Sequence, residues 1–298
     1  MIFERQKRLL ALLDAHRGDV GNLDFQKLLF LYCQEEKDKP IYDFVPYKYG
    51  GFSFTSYADK RRLVEQGLLG DQERNWTLTR LGKAAATVAP PIRTKMDQFA
   101  RRHTRLRGDA LVAHAYRRFP YHAIQSEIAA RVLAGDVTAL QAIKKARPVA
   151  GAPGLSTIGY EGRSLEAYLN RLLLNGVTLL CDVRRNPLSR KYGFSKGTLS
   201  KSCEGIGIRY EHLPELGIAT EKRQWLETQA DYDALFALYV RDSLPKQCDA
   251  LTKILQWIKS GERVALTCYE HAPEQCHRHC VAQALERKLG QNGATQHL

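Results

Sequence analysis

The sequence lacks any run of about 18 apolar residues, the length at which a membrane-spanning helix becomes a candidate. Its first 13 residues are amphipathic and charged, unlike the apolar stretch of a signal peptide. Cys-x-x-Cys pairs are also missing, and the seven cysteines are an odd number spread along the chain, which is not the pattern of a small secreted disulfide scaffold. We therefore expect a soluble, cytoplasmic protein with reduced thiols and no membrane partner.

An excess of acidic residues is missing too, since 45 Lys and Arg face 32 Asp and Glu and give a net charge of +13. The first half carries most of this charge: residues 1–150 hold 26 Lys and Arg against 16 Asp and Glu (+10), whereas residues 151–298 hold 19 against 16 (+3). Such a balance is typical of proteins that bind polyanions. The first half is therefore predicted to face a polyanion such as nucleic acid, or less often an anionic membrane surface, and charge alone does not decide between the two.

A chain of 298 residues has room for two domains, and the clearest boundary is the run of small residues and helix breakers at 149–154. Before it, apolar spacing predicts helices over residues 3–15 and 24–35, then an aromatic loop, a basic helix over about 55–66, a β-hairpin and a short helix. This order resembles winged-helix DNA-binding modules. We predict a winged-helix-like nucleic-acid-binding domain over 1–87, a basic helical connector over 88–150 and an α/β domain over 154–298.

The first 87 residues also resemble bacterial antitoxin-like and regulatory domains, through the helix sequence QKLLFLY at 26–32 and the aromatic YG at 49–50. Cations that could hold a phosphate backbone without reading its sequence occur in the basic helix and within 93–107. A helical adaptor with solvated charges is the alternative explanation. The predicted nucleic-acid contacts of this half are Lys60, Arg61, Arg62, Arg101, Arg102, Arg105 and Arg107.

In the second half, strands predicted near 155–159, 177–183, 208–213 and 263–268 alternate with helices. This alternation predicts an α/β fold with a Rossmann-like parallel sheet covered on both faces. Ligands of such sheets bind at the carboxyl ends of the strands. Residues capable of chemistry follow three of the four strands, in the segments YEGR, DVRRNP and CYEH.

Four segments in this order, TIGYEGRSLEAYL (157–169), LLCDVRRNPLSRKYGFSKGTL (179–199), IRYEHLPELG (208–217) and CYEHAPEQCHR (268–278), resemble domain-of-unknown-function family 488. The resemblance implies a Rossmann-like domain and a cytosolic bacterial or archaeal setting. His271, His279 and Cys280 depart from the family pattern. The positions that match it are Gly159, Asp182, Arg184, Pro187, Ser189, Phe194, Leu213, Glu270, Cys276, His277 and Arg278.

Two groups of site residues are predicted at this sheet edge. Asp182 and Glu270 form a pair of exposed carboxylates that could activate a water molecule, although Asp182 could instead cap a turn and pair with Arg184. Cys276-His277-Arg278 precedes a helix, where a thiolate would be reactive and a phosphate favoured; a buried Cys276 that locks the loop and a structural ion pair of Arg278 are the alternatives. The catalytic candidates are thus Asp182, Glu270, Cys276 and His277, and the ligand-binding candidates are Gly159, Tyr160, Arg184, Ser189 and Arg278.

A basic and aromatic segment follows the second strand, in which Arg185, Arg190 and Lys191 could hold a nucleic-acid backbone while aromatic rings stack on an extruded base. A solvated loop that closes over a small ligand is the alternative. Cysteines and histidines cluster near 268–280 as in some zinc sites, but the close Cys-x-x-Cys pairs of structural zinc are missing. We therefore predict no metal and no cofactor.

These features favour a DNA-binding, nucleic-acid-processing protein that modifies a base or nucleotide, in repair or in defence against foreign DNA. Hydrolysis of an N-glycosidic bond, as in DNA glycosylases, is one reaction that the carboxylates could serve. A nucleotide-sensing, DNA-binding regulator without turnover is the alternative. A small-molecule enzyme with a basic adaptor is a third possibility.

Overall fold

The structure is a computed structural model that describes residues 2–36, 40–149, 151–219, 221, 226–290 and 295–298. The chain divides into two compact units, residues 1–147 and 148–298. The predicted boundary at 149–154 falls at the start of the second unit, and its Ala150 lies outside the described residues. Among the helices that the structure describes, none combines the length and the apolar character needed to cross a bilayer.

The N-terminal unit is mostly helical, as the apolar spacing predicts. Its helices are α1 (Glu4–Ala15), α2 (Asn22–Glu35), α3 (Phe54–Glu65), α4 (Arg80–Ala85), α5 (Pro90–Arg102), α6 (Gly108–Arg118), α7 (Ala129–Val132) and α8 (Val137–Lys145). Its short strands are β1 (Asp19–Gly21), β2 (Val45–Tyr47), β3 (Gly50–Phe52) and β4 (Asn75–Thr77). β1 pairs with β4, and β2 with β3, in both cases antiparallel.

One apolar core joins the helices of this unit. Leu9 and Phe25 bring α1 and α2 into it, and Trp76 contributes its fully buried ring from β4. Phe99 of α5 and Leu111 of α6 belong to the same core. The segment after residue 87 therefore packs with the first 87 residues in a single unit.

Two buried charged groups of this unit have different surroundings. The carboxylate of Asp59 accepts hydrogen bonds from Arg5, Gln6 and Tyr42. Lys27, in the QKLLFLY segment of α2, donates from Nζ to the carbonyl oxygen of Gly51 at 2.9 Å. Its complete burial lowers the pKa of Lys27 from 10.5 to about 7.

The C-terminal unit alternates strands and helices, and this confirms the predicted α/β class with its parallel sheet. Its strands are β5 (Gly154–Gly159), β6 (Leu179–Asp182), β7 (Arg209–His212), β8 (Arg263–Cys268) and β9 (Gln296–His297). Its helices are α9 (Leu165–Leu174), α10 (Lys196–Glu204), α11 (Gln229–Leu238), α12 (Cys248–Lys259) and α13 (Arg278–Leu289). Within the described residues the strands form one parallel sheet in the order β7-β6-β8-β5-β9.

Alternate residues of the central strand β8 face different layers, as the two-residue period of a strand requires. Leu266 packs with Ile254 of α12 and Val281 of α13, whereas Thr267 accepts a hydrogen bond from the hydroxyl of Tyr168 on α9. Helices therefore cover both faces. Because β8 lies between β5 and β6, the carboxyl ends of these three strands meet at one edge of the sheet.

Lys27 provides a pH-dependent test of the N-terminal unit. Because its pKa is lowered on folding, the unfolded chain binds more protons at this residue from about pH 7 upward, and stability must rise with pH there. Between about pH 7 and 8.5 the gain should be on the order of 1.5 kcal/mol, and Lys27→Met should remove it. The measurement is urea unfolding followed by Trp76 fluorescence, with Trp225 and Trp257 replaced by Phe.

Lys83→Met, at an exposed position of α4, is the matched control and should keep the pH dependence. An unchanged slope in Lys27→Met would show that Lys27 is not the group responsible.

Candidate functional site

A buried ion pair lies at the carboxyl end of β6. Asp182 is 0% exposed, and its oxygens accept hydrogen bonds from the Arg184 guanidinium, from the Arg184 backbone N–H and from the Tyr210 hydroxyl. Although burial lowers the pKa of Arg184, the hydrogen bonds and charge of Asp182 raise it overall. The expectation of exposed carboxylates is wrong for Asp182, whose oxygens accept hydrogen bonds from the protein itself, and for Glu270, which is 7% exposed. The alternative pairing with Arg184 is the one observed.

Arg184 orders the loop that follows β6. Its Nη1 donates to the Tyr160 hydroxyl at 2.9 Å and to the carbonyl oxygen of Phe194 at 2.8 Å. The rings of Tyr160 and Phe194 stack with 4.3 Å between centroids, and Lys191 donates from Nζ to the Tyr160 carbonyl. The segment 185–193 is thus tied at both ends to the buried Arg184.

The loop after β8 is held by Arg278, at the start of α13. Arg278 is 1% exposed and donates to the carbonyl oxygens of Glu270 and His271 at 2.6 and 2.9 Å. Gly159 makes room for the same loop, because a Cβ there would lie 1.8 Å from the Glu270 carbonyl oxygen. Both residues therefore fix the Glu270 backbone. The guanidinium of Arg278 thus binds backbone carbonyls of the protein, and the space beside Gly159 is filled by the loop after β8.

Cys276 and His277 lie at the amino end of α13 and are also buried. Burial raises the pKa of the Cys276 thiol well above 9, with a further contribution from the neighbouring Cys268 sulfur. This is opposite to the low pKa of a reactive thiolate at a helix N-terminus. The His277 ring places Nε2 3.0 Å from the Val183 carbonyl oxygen, which links α13 to the end of β6.

A pocket of about 560 Å³ opens at this edge of the sheet. Five of its lining residues come from the loop after β6 beyond Arg184, namely Arg185, Asn186, Leu188, Ser189 and Arg190. Cys268, Tyr269, Glu270 and His277 line it from β8 and the following segment. Tyr160, Arg184 and Ile218 complete the lining. The volume lies in the range of small-molecule and cofactor sites.

The pocket collects some of the predicted site residues and leaves others out. Glu270 and His277 of the catalytic candidates line it, as do Tyr160, Arg184 and Ser189 of the ligand-binding candidates. Four of the catalytic and ligand-binding candidates are buried and do not line it: Asp182, Cys276, Gly159 and Arg278.

Several residues of the pocket have no role predicted from the sequence. Cys268 ends β8, and Tyr269 follows it with 45% of its surface exposed. Their position directly after a predicted strand was the available signal. Tyr210 of β7 could not be linked to Asp182 from spacing alone, because their contact depends on the lateral pairing of β6 with β7.

The predicted cations of the N-terminal unit differ in availability. Lys60 is buried, and its Nζ donates to Asn22 and to the Asn75 carbonyl oxygen. Arg107 is half-buried, and its Nη1 donates to the carbonyl oxygens of His103 and Leu106. The exposed cations of this set are Arg61, Arg62, Arg101, Arg102 and Arg105, of which Arg102 pairs with Glu35.

All seven cysteines lie in the described residues, and none of them forms a disulfide. Three potential metal ligands lie together beside the pocket, since atoms of Cys268, Cys276 and His277 are within 4.8 Å of one another. A second group, in the N-terminal unit, consists of Glu35, His103 and His114. Glu35 already forms ion pairs with Arg102 and Arg118.

The buried ion pair generates a stability prediction. Asp182→Asn leaves the Arg184 charge buried without its partner and should lower the free energy of unfolding by about 3–5 kcal/mol. Glu211→Gln, on the neighbouring β7, removes a half-exposed carboxylate that pairs with Arg209 and should cost less than about 1 kcal/mol. Chemical denaturation of both variants measures the difference. Equal losses in the two would contradict a structural role of the pair.

The comparisons with known proteins concern this unit. Residues 164–285 match the family described as Domain of unknown function DUF488. No curated protein matches the chain. The matched residues include β6, β7 and β8, the loop after β6 and most of α13, and this confirms the resemblance predicted from the four sequence segments. The C-terminal half of the chain is a domain of the DUF488 family.

Proposed function

We propose that this chain binds DNA through its N-terminal unit and processes a base or nucleotide in the pocket of its DUF488 domain. The observation that carries the proposal is the composition of that pocket, which combines one carboxylate, two exposed guanidinium groups and an exposed aromatic ring at the carboxyl edge of a parallel sheet. Ligands of such sheets bind at this edge.

The pocket residues have chemistry that suits a nucleotide. Arg185 and Arg190 are exposed and can each make two hydrogen bonds to a phosphate. The ring of Tyr269 is available for stacking on a base, an interaction worth about 1–3 kcal/mol per base. The exposed Leu188 adds apolar surface on the loop after β6. A base extruded from DNA would thus find both stacking and charge here.

Glu270 is the residue we assign to chemistry. It is 7% exposed and lines the pocket, and the Gly159 and Arg278 contacts fix its backbone. In the proposed hydrolysis, Glu270 takes a proton from a water molecule while the oxygen of that water forms a bond to C1′ of the sugar. The C1′–N bond breaks, and its electron pair leaves with the base. Asp182 acts in this scheme as a positioning residue, through Arg184.

DNA binding by the N-terminal unit rests on charge and on element order. The exposed Arg61 and Arg62 lie on α3, which follows two helices and precedes β4, as the basic helix of the predicted winged-helix-like module does. The exposed Arg101 and Arg105 lie at and just beyond the end of α5. Such residues supply affinity for phosphates irrespective of base sequence.

A regulator without turnover is the second candidate, favoured by the buried and high-pKa state of the Cys276 thiol, which does not supply a nucleophile. In that case the pocket would bind a nucleotide and bias DNA binding. Formation of a product distinguishes the two candidates.

The catalytic assignment predicts that Glu270→Gln loses base-releasing activity by at least about 100-fold, since an amide cannot accept the proton of water. The full chain is incubated with duplex, single-stranded and modified DNA, and products are identified by mass spectrometry. Glu274→Gln, at an exposed position of the following turn, is the control and should keep the activity. If the wild-type chain returns every DNA intact, the regulator is the candidate that remains.

The binding assignment predicts that DNA affinity falls linearly with salt on logarithmic axes. Replacing Arg101 and Arg105 together by Gln should weaken binding and reduce the slope by about 2, near 0.9 for each lost phosphate contact. Fluorescence anisotropy with a labelled duplex measures both quantities. The same replacement of Lys144 and Lys145, which are exposed on α8, is the control for a general loss of charge. Identical slopes for the two double variants would refute a specific role of the arginines.

A further inference from the structure

We propose that Cys268, Cys276 and His277 bind one thiophilic divalent cation, Zn²⁺ foremost, at the inner wall of the DUF488 pocket. The three side chains are buried, and their ligand atoms lie within 4.8 Å of one another. Two thiolates and an imidazole are ligands that zinc prefers. The sequence spacing hides this site, because seven residues separate the two cysteines and no close Cys-x-x-Cys pair is formed.

The hydrogen bond of His277 prepares its ring for a metal. A carbonyl oxygen only accepts, so the contact of Nε2 with Val183 at 3.0 Å places the proton of the neutral ring on Nε2. The lone pair then lies on Nδ1, 3.9 Å from the Cys268 sulfur. A hydrogen bond of this kind, from the ring nitrogen that does not bind the metal to a backbone carbonyl, is usual for metal-bound histidines.

The distances leave little adjustment to be made. With Zn–S near 2.3 Å and Zn–N near 2.0–2.1 Å, tetrahedral coordination separates a sulfur and a nitrogen ligand by about 3.6 Å and two sulfurs by about 3.8 Å. The observed 3.9 Å between Cys268 and His277 is close to the first value. The ligand atoms of the three residues all lie within 4.8 Å of one another. To reach the tetrahedral distances, any other pair of these atoms would have to move closer by at most about 1 Å.

Cys268 and His277 also line the pocket, whereas Cys276 is fully buried and does not. Three protein ligands with the fourth position toward a pocket are the arrangement of catalytic rather than structural zinc sites. The cation would supply a Lewis acid beside Glu270. The metal site is inferred from the positions of its three ligands, so it does not depend on the proposed hydrolysis.

The alternative group, Glu35 with His103 and His114, is less suited to a cation. Its carboxylate is paired with Arg102 and Arg118, whose positive charges would repel a metal. The cation nearest to Cys276 along the chain is Arg278, two residues away. The guanidinium of Arg278 itself donates to the two main-chain carbonyls of the loop after β8.

The test is titration of the full chain with Co²⁺, after reduction and removal of metals by a chelator. The expected result is one Co²⁺ per chain, with near-ultraviolet sulfur-to-cobalt absorption and the visible bands of a tetrahedral site, both abolished by Zn²⁺. Cys268→Ser and Cys276→Ser should each weaken Zn²⁺ binding by more than about 100-fold, a larger loss than is usual when a residue that only orients a metal ligand is replaced. Circular dichroism verifies that the variants fold.

Cys280→Ser is the matched control, because Cys280 is a buried cysteine of α13, four residues after Cys276, and lies outside the ligand group. It should bind Co²⁺ as the wild-type chain does. The proposal is overturned if the wild-type chain gives no sulfur-to-cobalt absorption, if folded Cys276→Ser keeps it undiminished, or if peptide mapping finds a Cys268–Cys276 disulfide in place of metal binding. None of these readouts requires DNA, so failure here and failure of the proposed hydrolysis are distinguishable.

Discussion

The ion pair between Asp182 and Arg184 is the interaction on which the arrangement of the pocket depends. Its two members are separated by one residue in the chain, at the carboxyl end of β6, and both are buried. Burying a charge is costly unless it is paired and hydrogen-bonded, and here the Asp182 carboxylate accepts hydrogen bonds from Arg184 and Tyr210. Nη1 of Arg184 also donates to the Tyr160 hydroxyl and to the Phe194 carbonyl oxygen. The position of the pocket wall therefore depends on this ion pair.

Most of the C-terminal fold could be predicted from the sequence, because strands such as β6 and β8 are short, mostly apolar runs and helices such as α12 bury one apolar face. The predicted strand at 263–268 coincides with β8, and the helix expected after Cys276-His277-Arg278 is α13. The strand β9 could not be predicted, since two residues carry no periodic signal. In the N-terminal unit, the helices agreed with their patterns, but a pattern along one helix could not indicate that α5 and α6 complete the core of α1 and α2.

The site was less predictable than the fold for a physical reason. Sequence position indicates which residues follow a strand, and Asp182 and Glu270 lie at the ends of β6 and β8 or just beyond them. Whether a side chain then points into solvent or back into the protein depends on its partners, which come from other strands. Asp182 turns inward because Tyr210 and Arg184 supply donors, whereas Glu270 lines the pocket. Arg278 was expected to hold a ligand phosphate, yet it meets two main-chain carbonyls 7 and 8 residues earlier in the chain.

The close approach of Gly159 to the Glu270 carbonyl has a thermodynamic consequence for ligand binding. Contacts made by a flexible loop are weakened by the conformational entropy that the loop loses when it becomes ordered. The main chain at Glu270 has already lost that freedom on folding, because Arg278 holds it from one side and the strand end at Gly159 leaves no space on the other. Whatever molecule enters the pocket therefore meets a preorganised wall, and more of its contact energy remains as affinity.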